Sequence, residues 1–126
     1  MTDPHPLAKR LRSFRFAFRG ISEMLRTEAN ARIHTLASVF VLCAGFALDI
    51  GRTEWLFLTL TIAAVWSLEA VNTAFESLCD VVAPEDRPEV ARAKDIAAAA
   101  VLIAAIAAVI VALLIFGRPI LALVSR

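Results

Sequence analysis

The stretch IAAAAVLIAAIAAVIVALLIF, from Ile96 to Phe116, decides the fold of this chain. Its 21 residues include no charged side chain. A helix that crosses the roughly 30 Å hydrocarbon core of a bilayer needs about 20 apolar residues. A helix of a soluble bundle would keep one polar face, and this stretch has none. It therefore predicts a membrane-spanning helix.

Two further apolar segments precede it in a chain of 126 residues that is 60% hydrophobic. One is IHTLASVFVLCAGFALDI at residues 33–50, and the other starts at Trp55 with WLFLTLTIAAVWSL and keeps a helical pattern to Val82. Each is long enough to span a bilayer. We expect an all-α integral membrane protein with spans at 33–50, 55–82 and 94–116, in one domain over residues 1–126, with Gly117 to Pro119 ending the third span.

The N-terminal region predicts an amphipathic helix over residues 7–30. Its apolar residues recur at steps of four, three, four, three and four: Leu7, Leu11, Phe14, Phe18, Ile21 and Leu25. Arginines occupy the other sides of the helix. A basic amphipathic helix before a span is typical of a helix in the membrane interface, attracted to anionic lipid. The alternative is a helix packed on a soluble partner.

The basic residues are distributed unevenly between the two sides of the membrane. Seven precede the first span: Lys9, Arg10, Arg12, Arg15, Arg19, Arg26 and Arg32. One lies between the first two spans, and three lie between the second and third. By the positive-inside rule, the N-terminus and the second loop are expected in the cytoplasm.

Four polar residues at helical spacing mark the end of the second span: Glu69, Asn72, Glu76 and Asp80. At about 100° per residue they fall within an arc of roughly 80° on one helix face. Acidic residues at membrane depth are costly to insert and usually serve a function. The alternative for Glu69 is a protonated or paired acid that holds helices together.

Other polar residues reach the same membrane level from different helices. Glu28 lies just before the first span, and Lys94 and Asp95 lie at the start of the third. Magnesium prefers oxygen ligands and is usually held by one or two carboxylates plus substrate phosphates, and lysine supplies a point charge for phosphate. A carboxylate near lipid depth could take a proton from a hydroxyl. The pattern favours a magnesium–nucleotide site, and we assign His34 no role.

The glycines exclude the familiar nucleotide-binding loops. There are four, at positions 20, 45, 51 and 117, so neither a P-loop nor a dinucleotide fingerprint exists. Two other classes remain open at this point. One is a small proton-coupled transporter that uses Glu69 as its proton site, and the other is a non-enzymatic membrane subunit.

Three motifs together resemble the prokaryotic diacylglycerol kinase and undecaprenol kinase family of small membrane lipid kinases. They are EANARIH at residues 28–34, EAVNTAFE at 69–76 followed by Asp80, and AKD at 93–95. The likeness covers residues 14–119. It leans to the undecaprenol kinase branch, through the NARIH run, the EWL start of the second span and the NTA that follows Val71.

The resemblance implies a role for each polar residue. Glu69 would be the general base on the lipid hydroxyl, Glu28 and Glu76 would hold Mg²⁺, and Asp80 would support the site. The residues expected to bind ATP are Glu28, Asn72, Glu76, Glu85, Lys94 and Asp95. The expected protein is a homotrimer with shared active sites at the cytoplasmic face of a bacterial plasma membrane. It would act on undecaprenol, or alternatively on diacylglycerol, and would bind no nucleic acid.

Overall fold

The computed structural model describes residues 6–85 and 87–125. Over these ranges the chain forms four helices, α1 (Pro6–Thr27), α2 (Ala29–Ala47), α3 (Arg52–Val82) and α4 (Pro88–Val124), and no strand. Three of them are long and apolar enough to cross a membrane, at Ala29–Ala47, Arg52–Val82 and Pro88–Ala122. The predictions of an all-α chain and of three candidate spans are confirmed.

The helix expected over 7–30 is interrupted at Glu28. This residue has an extended backbone (φ −97°, ψ 121°) and is the N-cap of α2. The guanidinium of Arg32 donates hydrogen bonds to the carbonyl oxygens of Leu25 (3.4 Å) and Arg26 (3.1 Å). These carbonyls belong to the last turn of α1. The carbonyl groups at the end of a helix have no hydrogen-bond partner within that helix. The break therefore leaves the Glu28 carboxylate at a junction between two helices.

The α2–α3 connection is a tight turn that holds the two helices side by side. Asp49 adopts a positive φ of 48°, a conformation that aspartate tolerates better than most residues. The rings of Phe46 and Trp55 lie 4.6 Å apart, centroid to centroid. Gly45 is buried directly beneath the Trp55 ring. A Cβ built there would lie 2.9 Å from that ring and 3.0 Å from Cδ1 of Ile50.

We expect Gly45→Ala to lower the stability of the folded protein by about 1–3 kcal/mol, the usual cost of overpacking. The Trp55 ring would have to move against Phe46, and the turn would move with it. Thermal unfolding in detergent micelles measures the effect. Gly20→Ala is the matched control, since nothing lies within 4 Å of a Cβ at that position. An unchanged midpoint for Gly45→Ala would contradict the close contact.

The α3–α4 pair is the most extensive helix contact, and α4 is longer than the expected third helix. The helix continues through Pro119 to Val124 instead of ending near Gly117. A proline removes one backbone hydrogen bond, but the apolar residues that follow still favour a helix. Few side chains are buried within the described part of the chain: Met24, Ala31, Leu58, Val65, Glu69, Asn72, Val101 and Phe116.

Candidate active site

Two of the four polar residues on α3 are buried. Glu69 is 2% exposed and Asn72 is 8% exposed. Oε2 of Glu69 and Oδ1 of Asn72 have no hydrogen-bond partner among the described residues. Buried polar atoms are almost always satisfied in folded proteins, so each exception needs an explanation. Here two unpartnered oxygens belong to residues three positions apart on one face of α3. This arrangement indicates a place where a ligand binds.

Asn72 orients the next carboxylate along the stripe. Its Nδ2 donates a hydrogen bond of 2.9 Å to Oε1 of Glu76. Glu76 is half-buried and keeps its second oxygen for another partner. The Glu28 and Glu76 carboxylates and the His34 imidazole all lie within electrostatic range of Glu69. Glu28, from the α1–α2 junction, therefore lies near the polar residues of α3.

A cavity of about 470 Å³ separates α1 from α3 beside Glu28. Small side chains line its α3 wall: Ala70, Thr73, Ala74 and Ser77. The hydroxyl of Thr73 is buried and has no hydrogen-bond partner among the described residues. The Glu28 side chain makes no capping hydrogen bond to α2. Its carboxylate therefore remains available to a ligand in this cavity.

A second cavity, of about 710 Å³, lies where the α3–α4 loop meets both helices. Its charged lining residues are Asp80, Glu85, Arg87, Lys94 and Asp95. Nζ of Lys94 lies 2.9 Å from Oδ1 of Asp80, and Arg87 forms a 3.0 Å ion pair with Glu85. Exposed ion pairs contribute only about 0–1 kcal/mol to stability. The first pair therefore serves mainly to orient the Lys94 ammonium at the cavity.

The carboxylates of Glu28 and Glu76 are the type of ligand that magnesium prefers. In residues 6–85 and 87–125, no three His, Cys, Asp or Glu side chains are close enough together to hold a metal ion on their own. Magnesium does not need such a cluster, because it keeps several waters and binds through one or two carboxylates plus phosphate oxygens. The Glu28 carboxylate makes no capping hydrogen bond. The hydrogen bond from Asn72 uses only one oxygen of Glu76.

The predicted site residues thus fall into two neighbouring groups. Glu28, Glu69, Asn72 and Glu76 form the deeper group, and Asp80, Glu85, Lys94 and Asp95 surround the loop cavity. Sequence reasoning missed the hydrogen bond from Nε1 of Trp66 to Oγ of Ser38, at 3.2 Å, which joins α3 to α2. Spacing within one helix carries no signal for such a contact between two helices.

Fold and site together define an integral membrane protein with a carboxylate-rich site and a neighbouring cavity lined by charged residues of both signs. Residues 15–116 match the family described as prokaryotic diacylglycerol kinase. An undecaprenol kinase of Bacillus subtilis is 41% identical over 105 residues, which cover 83% of this chain and 85% of that protein. A diacylglycerol kinase of Synechocystis sp. is 44% identical over 112 residues, or 88% of this chain. The match spans 64% of the Synechocystis protein, slightly less than two thirds of its length.

The chain belongs to the prokaryotic diacylglycerol kinase family, and it is a multi-pass membrane lipid kinase. The predicted resemblance and the predicted enzyme class are confirmed. The transporter and the non-enzymatic subunit are no longer needed as alternatives. A lipid kinase must hold an alcohol and a phosphoryl donor together.

Proposed function

We propose that this protein transfers the γ-phosphoryl group of ATP, with Mg²⁺, to the hydroxyl of a membrane lipid, and that the preferred lipid is undecaprenol. The observation that carries the proposal is the buried Glu69 carboxylate, whose Oε2 has no partner, on the same α3 face as Glu76 and Asp80. That face leads from span depth to a cavity with a lysine. A lipid alcohol and a water-soluble nucleotide can meet along it.

In this proposal Glu69 is the general base. It accepts the hydroxyl proton as the lipid oxygen bonds to the γ-phosphorus and the bond to the ADP oxygen breaks. Phosphoryl transfer depends mainly on positioning and on neutralising charge. Burial keeps water away from the carboxylate, so a lipid hydroxyl would meet it without competition from water. The hydrocarbon tail stays in the bilayer throughout.

Glu28 and Glu76 would hold the magnesium ion. Bound there, magnesium would supply positive charge that offsets the charge developing on the phosphoryl group. The Asn72 amide fixes one oxygen of Glu76 at 2.9 Å, which leaves the other oxygen oriented. Glu28 would join Glu76 from the α1–α2 junction, where its backbone is extended and its side chain makes no capping hydrogen bond.

The loop cavity would take the nucleotide. Lys94 supplies the positive charge for phosphate oxygens, while Asp95 and Glu85 line the same cavity and offer acceptors for the rest of ATP. Asn72 contributes through Glu76. ATP would enter from the cytoplasm of a bacterium, because the positive-inside rule predicts the N-terminus and this loop at the inner face of the plasma membrane.

The assembly we propose is a homotrimer with α1 on the membrane surface. Large apolar side chains on α1 are exposed, including Phe14 (65%) and Phe18 (69%), as expected for a helix immersed in the interface. Exposed apolar residues are also frequent on all three candidate spans. Neighbouring subunits and lipid would cover these faces and would enclose the two groups of site residues from outside.

The test of this proposal is a transfer assay with the protein in lipid nanodiscs, labelled ATP and Mg²⁺. Undecaprenol is the expected acceptor because the match to the undecaprenol kinase covers 85% of that relative, against 64% of the diacylglycerol kinase. We expect undecaprenol to be labelled several-fold faster than diacylglycerol at equal mole fraction. Preference for diacylglycerol would overturn the substrate assignment. Labelling of neither lipid would overturn the kinase mechanism.

Asp80→Asn should raise the KM for ATP severalfold while changing thermal stability by less than about 1 kcal/mol, since its ion pair with Lys94 is exposed. The Asp80 carboxylate orients the Lys94 ammonium, and the uncharged amide of asparagine would hold that ammonium less firmly. Steady-state kinetics with varied ATP and thermal unfolding measure the two quantities. Glu89→Gln, which removes an exposed carboxylate near the start of α4, is the control. An unchanged KM for Asp80→Asn would exclude the supporting role.

A further inference from the structure

Helices α2 and α3 run antiparallel, and two contacts fix their register. Gly45 lies against Trp55 near the α2–α3 turn, and Ser38 accepts a hydrogen bond from Trp66 further along. Because both helices rise by about 1.5 Å per residue, nearly equal numbers of residues along α2 and α3 keep facing positions at the same level. The register can be extended by one turn from the Ser38–Trp66 contact toward the α3–α4 loop.

That extension brings His34 and Glu69 to the same level. His34 precedes Ser38 by four residues, and Glu69 follows Trp66 by three. These steps are roughly 6 Å and 4.5 Å along the two axes, and both keep the side chain on the face that makes the contact. The Ser38 hydroxyl also donates to the His34 carbonyl oxygen at 2.7 Å, which ties this turn of α2 to the contact.

Both groups lack partners of their own. Oε2 of Glu69 has no hydrogen-bond partner, and the His34 ring makes no hydrogen bond to any residue of 6–85 and 87–125. The half-buried imidazole lines an apolar cavity of about 300 Å³ beside Val65, one turn before Glu69. A polar ring in such surroundings needs a polar partner.

The charges around Glu69 single out His34. The titratable side chains that interact with its carboxyl are His34, Glu28 and Glu76. Only His34 among these three can carry a positive charge. The α4 wall of the cavity offers no titratable group, because its lining residues are Ala105, Ala108, Val109 and Ala112. On the described faces around this carboxylate, the imidazole is the one group that can offset two neighbouring acids.

We propose that His34 is a positioning residue for Glu69. In the lipid-bound protein, an imidazole N–H would donate to one carboxylate oxygen and leave the other oxygen for the lipid hydroxyl. Such charge-assisted hydrogen bonds are shorter and stronger than neutral ones, so the carboxylate is held in one orientation. The inference rests on the proposed function, because it gives His34 a role only if Glu69 is the base.

The first test detects the interaction between His34 and Glu69 by NMR and does not depend on enzyme activity. The chain has two histidines, so ¹⁵N-histidine labelling gives two imidazoles, and a His5→Gln background leaves that of His34 alone. In nanodiscs, Glu69→Gln should shift the His34 ring ¹⁵N resonances, while Glu54→Gln, at the other end of α3, should not. Resonances that do not move with Glu69→Gln would overturn the contact.

The second test is a double-mutant cycle. His34→Gln should lower kcat by about 10- to 100-fold, the size of loss known for partners that orient metal ligands, with the KM for ATP unchanged. In a Glu69→Gln background, the same change should cause no further loss, since the two act as a unit. Equal losses in both backgrounds would mean that His34 serves structure alone and would overturn the proposal.

A failure of the proposed function can be distinguished from a failure of the positioning role of His34. Full activity of Glu69→Gln alone would refute the base in the proposed function, whatever His34 does. An inactive Glu69→Gln together with a fully active His34→Gln would leave the proposed function standing and would overturn the positioning role. Ser38→Ala controls for packing, because it removes the neighbouring hydrogen bond and leaves the imidazole in place.

Discussion

Glu69→Gln should lower kcat for lipid phosphorylation by about 10²- to 10⁴-fold, the usual contribution of a general base. Glutamine has nearly the same shape, so the buried position remains filled, but its amide cannot accept the hydroxyl proton. The KM for ATP should stay the same, because the nucleotide cavity lies at the other end of the stripe. Single-turnover transfer from labelled ATP to the lipid measures the chemical step directly.

The control for this change is Glu54→Gln, which removes a carboxylate from the first turn of the same helix. It should leave turnover unchanged. If Glu69→Gln transferred phosphate at the parental rate, the base would have to be a different group, and the unpartnered Oε2 of Glu69 would need another explanation. Glu69→Ala is less informative, since it also leaves a cavity in the helix contact.

Glu76→Gln should raise the Mg²⁺ concentration for half-maximal activity by at least about 10-fold, because losing even an outer partner of a metal ligand costs about 10- to 100-fold in affinity. The glutamine carbonyl can still accept the hydrogen bond from Asn72, so the local structure is kept while the charge is lost. Activity should partly recover at saturating Mg²⁺. Titration of activity with Mg²⁺ at fixed ATP gives the measurement.

The same titration on Glu54→Gln shows whether any lost carboxylate on α3 would have this effect. Its Mg²⁺ dependence should match that of the parent protein. A parental Mg²⁺ dependence in Glu76→Gln would rule out Glu76 as a ligand and leave Glu28 as the acid expected at the metal. The Asn72–Glu76 contact would then be a structural one.

The sequence predicts the features that depend on one helix at a time. Hydropathy alone identifies the three candidate spans, because apolar length is what a bilayer requires. The stripe on α3 follows from a spacing of three and four residues. The break at Glu28 could not be predicted, since it depends on the Arg32 side chain reaching back to carbonyls of the preceding helix. Similarly, the continuation of α4 past Pro119 reflects the apolar residues beyond it.

Contacts between helices were harder to foresee. Asp80 and Lys94 are fourteen residues apart, and they meet because a short loop returns α4 along α3. His34 appears in the sequence as an unremarkable interfacial residue. Its position opposite Glu69 depends on the register of α2 and α3, and that register is set by a glycine beneath a tryptophan. No periodicity within a single helix encodes that relation.

The packing of Gly45 against Trp55 also determines where α2 and α3 can separate. The turn and the two aromatic rings fasten one end of the pair, and the Trp66–Ser38 hydrogen bond fastens its middle. Any widening is therefore greatest at the end that carries Glu69. In the proposed reaction, a long-chain alcohol diffusing in the plane of the bilayer would reach that carboxylate sideways between the helices. Its tail never has to leave the lipid, so the reaction avoids the cost of moving a hydrocarbon chain into water.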